Sequence, residues 1–167
     1  MNEMLINIGS NVDKEVNVPA AIARLRTQPG ITVLGVSSVL ETPAIGADGQ
    51  PADQPNYHNV GLRAATTLDM LHVRRLLREI ETELGRVRGP DKFAARPIDL
   101  DLAYYGDPHA AETTGAGEQP LDGDVLRYEH VAIPLAEVAP QWVHPEAGTT
   151  LAAIAASFAF ARRAANI

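Results

Sequence analysis

The sequence predicts a single α+β domain, residues 1–167, with a ferredoxin-like βαββαβ core, an antiparallel sheet with helices packed on it, and a C-terminal extension. Two observations carry that prediction. Four β-type runs and two helical patterns follow one another as strand, helix, strand, strand, helix, strand. Turn signals fall between them, at Gly9-Ser10-Asn11, Pro29-Gly30 and Gly85. Two helices then cover one face of the sheet.

Met4 to Ile8 is a short apolar run that stops at a turn, which predicts a strand. Asn17 precedes a helix with Pro19 in its first turn and Val18, Ile22 and Leu25 on one face. Ile31 to Leu40 is rich in Val, Ile and Ser and suits a single strand. Residues 41–56 form a long Pro- and Gly-containing loop, a length that often signals function. Tyr57 to Ala65 is the next strand. Thr66-x-x-Asp69 predicts a capping box for a second helix, whose apolar stripe is Leu68, Leu71, Leu76, Leu77, Ile80 and Leu84. Residues 86–97 are an irregular basic loop, and Ile98 to Tyr105 is the last core strand. Gly106 to Asp124 reads as loop, Pro134 to Pro140 holds barely one helical turn, and an Ala-rich helix runs from Thr149 or Thr150 to about Arg163.

The bulk composition excludes some chemistry. With no cysteine there is no disulfide, thiolate metal site or cysteine nucleophile. The net charge of −7 argues against a nucleic-acid partner. No run reaches the ~18 apolar residues of a membrane span, and the N-terminus reads as a strand rather than a signal peptide, so a cytoplasmic setting is expected. The five histidines show no paired ligand spacing, and neither a P-loop nor a nucleophile elbow occurs.

The informative stretch is residues 86–106, RVRGPDKFAARPIDLDLAYYG. Arg86, Arg88, Lys92 and Arg96 place four of the fourteen basic residues within eleven positions. Guanidinium forks suit phosphate oxygens. On the following strand Asp99 and Asp101 share a face, roughly 6–7 Å apart. Their repulsion is on the order of 2–3 kcal/mol at an effective dielectric of 20. A divalent cation would offset it, and carboxylates are hard ligands suited to Mg²⁺. A carboxylate pair beside phosphate-binding arginines is the equipment of phosphoryl transfer.

At these residues the chain resembles the hydroxymethyldihydropterin pyrophosphokinase family of folate biosynthesis. The carrying string is Lys92-Phe-Ala-Ala-Arg96-Pro-Ile-Asp99-Leu-Asp101, supported by Gly9-Ser10-Asn11, Glu41-Thr42-Pro43, Gln54-Pro55-x-Tyr57-x-Asn59, Gly85-Arg86-Val87-Arg88 and Pro134 to Pro140. The resemblance implies transfer of pyrophosphate from ATP to 6-hydroxymethyl-7,8-dihydropterin with release of AMP. Two Mg²⁺ ions would bind Asp99 and Asp101, and Arg86 and Arg96 would stabilise the transferred group. Glu81, Arg88, Phe93 and Arg127 would serve ATP. Tyr57 and His130 would stack on the pterin, with Thr42, Ala44, Ile45 and Asn59 reading its edge. Asn11 would support the mobile loops. ATP and the dihydropterin are the expected partners, with no obligatory protein partner, nucleic acid or membrane. Asp122, Tyr128 and His130 stand where the family usually has His, Arg and an aromatic residue. A non-catalytic or altered-specificity pterin- or nucleotide-binding member of the same fold is the alternative. An insertion near residues 47–53 implies altered loop closure.

Overall fold

In the computed structural model, which describes residues 1–165, a five-stranded antiparallel sheet is sandwiched between two layers of helices. The elements run β1 (Asn2–Ser10), α1 (Lys14–Arg26), β2 (Ile31–Val36), β3 (Leu40–Thr42), β4 (Tyr57–Thr66), α2 (Met70–Glu83) and β5 (Asp99–Gly106). Then follow α3 (Pro108–Thr113), a 3-10 turn (Gly123–Leu126), α4 (Glu129–Val138) and α5 (Leu151–Ala165). The sheet order is β2-β4-β1-β5, with β3 paired to β4 beyond the end of β2. No helix among the described residues is long and apolar enough to cross a membrane.

Both faces of the sheet are covered, not one. On one side Met4, Ile6 and Ile8 of β1 meet Val18, Ala21 and Leu25 of α1 and Val73, Leu77 and Ile80 of α2. On the other, Leu5, Ala103 and Tyr104 meet Val131, Leu135 and Trp142, with Leu151 and Ile154 of α5 behind. Each fully buried Leu or Ile contributes roughly 1.5–3 kcal/mol, so the second layer is a substantial part of the core. The near-continuous apolar run Met4-Leu5-Ile6 on β1, without alternation, is the sequence trace of this double burial.

Several sequence expectations are corrected. α1 begins at Lys14, so Pro19 lies inside it rather than in its first turn. α4 likewise contains Pro134, and ten helical residues stand where barely one turn was expected. Burial of Val131, Ala132, Leu135 and Ala136 outweighs the one helical hydrogen bond that a proline removes. The expected strand 31–40 is two strands. Ser37 breaks it, because its hydroxyl takes the Gly61 N–H at 2.8 Å, while Ser38 turns outward to Glu137 on α4. The capping box is absent. Asp69 itself caps α2, accepting from the His72 N–H at 2.8 Å, and Leu71 is 70% exposed rather than in the apolar stripe. The region 106–124 contains the short helix α3, and Gln119 pairs its backbone with Tyr105.

α4 lies directly on β4 at Gly61, where a Cβ would come within 2.4 Å of the Pro134 carbonyl oxygen. Gly61→Ala is therefore expected to destabilise the protein by about 1–3 kcal/mol through overpacking. A urea denaturation midpoint equal to that of the parent would contradict this contact.

Candidate active site

β5 alternates as its sequence requires. Ile98 and Leu100 are buried beneath the sheet, and Asp99 and Asp101 line a cavity of about 370 Å³ on the opposite face. A second cleft of about 390 Å³ opens on the far side of Asp101, between β5 and α2. Asp101 and Asp124 border both spaces.

The two carboxylates are not equivalent. Asp99 is clamped by Arg86 Nη1 at 2.5 Å on one oxygen and Arg96 Nη1 at 2.7 Å on the other. Asp101 has no such partner among the described residues and is exposed along the clefts. Surrounding protein, then the charge of Asp99, then that of Glu81, raises its pKa to about 7. No cluster of three His, Cys, Asp or Glu residues that could hold a metal occurs among the described residues. A two-carboxylate site still fits Mg²⁺, which commonly takes one or two protein carboxylates and completes its shell with water and phosphate.

The basic loop is anchored from below by Glu81, which is 3% exposed at the end of α2. Its Oε1 accepts from the Leu100 N–H at 2.8 Å and from Arg86 at 2.7 Å, and its Oε2 accepts from Arg88 at 2.7 Å. Glu81 thus borders the second cleft while its carboxylate is occupied in holding two arginines. Desolvation works against the charge of Arg86, but Asp99 and Glu81 outweigh it and raise its pKa.

Asn11 joins the two long loops. Its side chain donates to Gln54 and to the Pro55 carbonyl, both at 3.2 Å, and accepts from the Arg96 N–H at 2.8 Å. Gln54 in turn donates to the Phe93 carbonyl at 2.8 Å. The inserted segment is a compact hairpin. Ala52 donates to Ala44 at 2.7 Å, Gly46 donates to Gln50 at 2.9 Å, and Ala44 and Ile45 are thereby held against the first cavity.

Tyr57, Asn59, Thr42 and Phe93 also line that cavity. Asn59 is 3% exposed and donates to the Leu40 carbonyl and the Thr42 hydroxyl, at 3.0 and 2.8 Å. Burial raises the pKa of Tyr57 and lowers that of His130. His130 faces the cavity from the first turn of α4 and stacks against Tyr128, ring centroids 5.2 Å apart. Arg127 is exposed and borders neither cleft, so the structure does not bring it to the site. Arg74 and Arg78 of α2 do line the second cleft, with Gln119 beside Arg74. Their signal was present, since 74, 78 and 81 share one helical face.

The sequence pattern of the 7,8-dihydro-6-hydroxymethylpterin-pyrophosphokinase family matches residues 5–140. The chain belongs to that family. Among curated relatives, a 2-amino-4-hydroxy-6-hydroxymethyldihydropteridine pyrophosphokinase of Synechocystis sp. is 32% identical over 149 residues, 88% of this chain and 71% of the relative. The protein of the same name from Bacillus subtilis is 32% identical over 143 residues, 84% of this chain and 80% of the relative. A folate synthesis bifunctional protein of Arabidopsis thaliana is 34% identical over 104 residues, but this chain covers only 21% of its length. Membership makes the chain a pyrophosphokinase of folate synthesis, and the family implies ATP as co-substrate.

The raised pKa of Asp101 has a consequence for stability. The unfolded carboxyl releases its proton near 3.8 and the folded one near 7. Stability is therefore greatest below the lower value, falls as pH rises between the two, and levels off above the upper one. In chelator, Asp101→Asn is expected to gain melting temperature over the parent progressively through that window. A difference that does not change with pH would contradict the raised value.

Proposed function

We propose that the chain transfers the β,γ-pyrophosphoryl group of ATP to the hydroxymethyl oxygen of 6-hydroxymethyl-7,8-dihydropterin. A bond forms between that oxygen and the β-phosphorus. The bond from the β-phosphorus to the α,β-bridging oxygen breaks, AMP leaves, and the hydroxyl proton is released. The observation that carries this reading is the position of Asp101 at the junction of two clefts, beside Asp99 and its arginines. One space then takes the acceptor and the other the nucleotide.

The pterin would lie between Tyr57 and His130, with its amide edge toward Asn59, Thr42 and the backbone of Ala44 and Ile45. A flat polar ring suits an aromatic face with fixed polar partners. The nucleotide would occupy the α2–β5 cleft, its phosphates meeting Arg74, Arg78 and Arg88. Asp99 and Asp101 would hold two Mg²⁺ ions, which when bound supply charge neutralisation to the polyphosphate. Arg86 stays committed to Glu81 and Asp99 and positions the latter. Arg96, more exposed at 29%, is the guanidinium free to turn toward the transferred group. Phe93 is 45% exposed on the basic loop and would cover the acceptor. We assign Glu81 a positioning role, and Asn11 the role of coupling the loops.

Leaving β3 aside, the strand order and the two crossover helices α1 and α2 support reading the core as ferredoxin-like, with β3 and the α4–α5 layer as additions. ATP consumption in a cysteine-free chain supports a cytoplasmic setting. We propose one functional domain with no obligatory protein partner.

Incubation with ATP, Mg²⁺ and 6-hydroxymethyl-7,8-dihydropterin, with chromatographic separation of nucleotides, is expected to give AMP only when the pterin is present. ADP instead would mean ordinary γ-phosphoryl transfer, and ligand binding without AMP would favour the non-catalytic alternative. Asp99→Ala and Asp101→Ala are each expected to lower turnover by roughly a hundred- to a thousandfold or more, with cooperative unfolding retained. Unimpaired turnover in either variant would sink the metal role. Arg88→Ala is expected to raise the KM for ATP about tenfold, since a hydrogen bond to a charged group is worth roughly 1.5–3 kcal/mol. An unchanged KM would remove Arg88 from the nucleotide site.

A further inference from the structure

The floor of the first cavity contains a side chain that the reaction described above leaves idle. Asn7 lies on β1, between β4 and β5, is 9% exposed and lines the cavity. Its amide oxygen is buried with no hydrogen-bond partner. The register sets Asn7 opposite Asp101 on β5 and Gly61 on β4. Cross-strand neighbours on one face have Cβ atoms about 4.5–5.5 Å apart, so the amide stands beside the Asp101 carboxylate.

Packing alone does not ask for an amide here. The same-face neighbours along β1 are Leu5, buried in the apolar cluster, and Gly9, which has no side chain. Asn is also depleted in strands. A buried acceptor left unpaired costs free energy, which marks the position as one completed by something outside the fold. The last torsion of an asparagine is broad and two-fold, so its oxygen and its amide nitrogen can exchange places and the oxygen can face the cavity.

We propose that Asn7 is a specificity-determining residue for the acceptor, its side-chain oxygen accepting a hydrogen bond from the hydroxyl of the hydroxymethyl group. This rests on the pterin reading above. The attacking oxygen has to lie at the Asp99–Asp101 end of the cavity, where the phosphates are held. The ring's own donors point the other way, toward Asn59 and Thr42. The hydroxyl is then the ligand donor nearest Asp101, and therefore nearest its cross-strand neighbour. A neutral amide oxygen is too weak a base to remove the proton. It orients the O–H and leaves a lone pair of the hydroxyl aimed at the nucleotide cleft.

Titration calorimetry with 6-hydroxymethylpterin and 6-methylpterin, in Mg²⁺ and α,β-methylene ATP, tests this on the full chain. The parent protein is expected to prefer the hydroxymethyl compound about tenfold, the worth of one good hydrogen bond. In Asn7→Ala the preference is expected to fall to about twofold or less, with affinity for the methyl compound and the melting temperature retained. Asn7→Ser, whose hydroxyl is a bond length shorter in reach, is the second variant should the alanine fold poorly, and it is expected to lose the preference as well. A preference that survives in either folded variant overturns the proposal. Equal weakening of both ligands also overturns it, since that marks Asn7 as structural only. A parent protein that binds neither pterin overturns the function proposed above, a failure distinct from unaltered selectivity in the variants.

Discussion

The pairing of Asp99 with Arg86 and Arg96 is the electrostatic constraint around which the site is arranged. Two carboxylates on alternate residues of one strand repel each other by about 2–3 kcal/mol at an effective dielectric of 20. The fold relieves only half of that problem. Asp99 receives two guanidinium groups, while Asp101, open to the clefts, is left with the charge of its neighbour. The cost is borne locally because the surroundings on three sides are rigid. β5 is paired to β1, Glu81 fixes the N–H of Leu100, and helices pack on both faces of the sheet. An uncompensated carboxylate at the meeting point of two cavities is a functional signature with a physical cause.

Glu81 makes the basic loop part of the core. A loop of glycine, alanine and charged residues has little apolar surface with which to hold itself in place. One buried carboxylate instead ties Arg86 and Arg88 to the end of α2 and to the start of β5 at Leu100. Removing one partner from such a buried network generally costs 3–5 kcal/mol, so the anchor is as structural as it is functional. Further out, Arg88 is 63% exposed while still paired to Glu81. Order therefore decreases outward along the loop, from a buried anchor to an exposed tip.

The strand alternation of residues 98–102 was readable because period-2 patterning admits one arrangement when one face is apolar. Both carboxylates consequently lie where the sequence placed them. The ends of the helices were harder to read. Pro19 and Pro134 each suggested a helix boundary by local chemistry, but burial of the neighbouring apolar residues overrides a single missing hydrogen bond. The second helical layer was missed for a related reason, since a proline-bounded segment hid the apolar face of α4. The break at Ser37 depends on a hydroxyl replacing a carbonyl in the ladder, which no hydrophobic pattern records. Around the site, Thr42, Ala44, Ile45, Tyr57, Asn59, Phe93, Arg96, Asp99, Asp101 and His130 line the first cavity and Glu81 and Arg88 the second cleft, Asn11 and Arg86 support them from behind through hydrogen bonds, and Arg127 lies apart. Arg74 and Arg78 went unnoticed although their spacing on α2 placed them beside Glu81.

Arg96 is attached to the protein in two different ways. Its backbone is held on both sides by Asn11, through an N–H to the asparagine side chain at 2.8 Å and a carbonyl that accepts the asparagine N–H at 3.1 Å. Among the described residues its guanidinium is held by one ion pair, to Asp99, and by the Lys92 carbonyl. The main chain at this residue is a fixed pivot, and what can turn is a side chain with about four soft torsions. Rotamer exchange of that kind runs on the picosecond-to-nanosecond scale, far faster than rearrangement of a loop. The charge over Asp99 can thus be redirected with the loop's path unchanged.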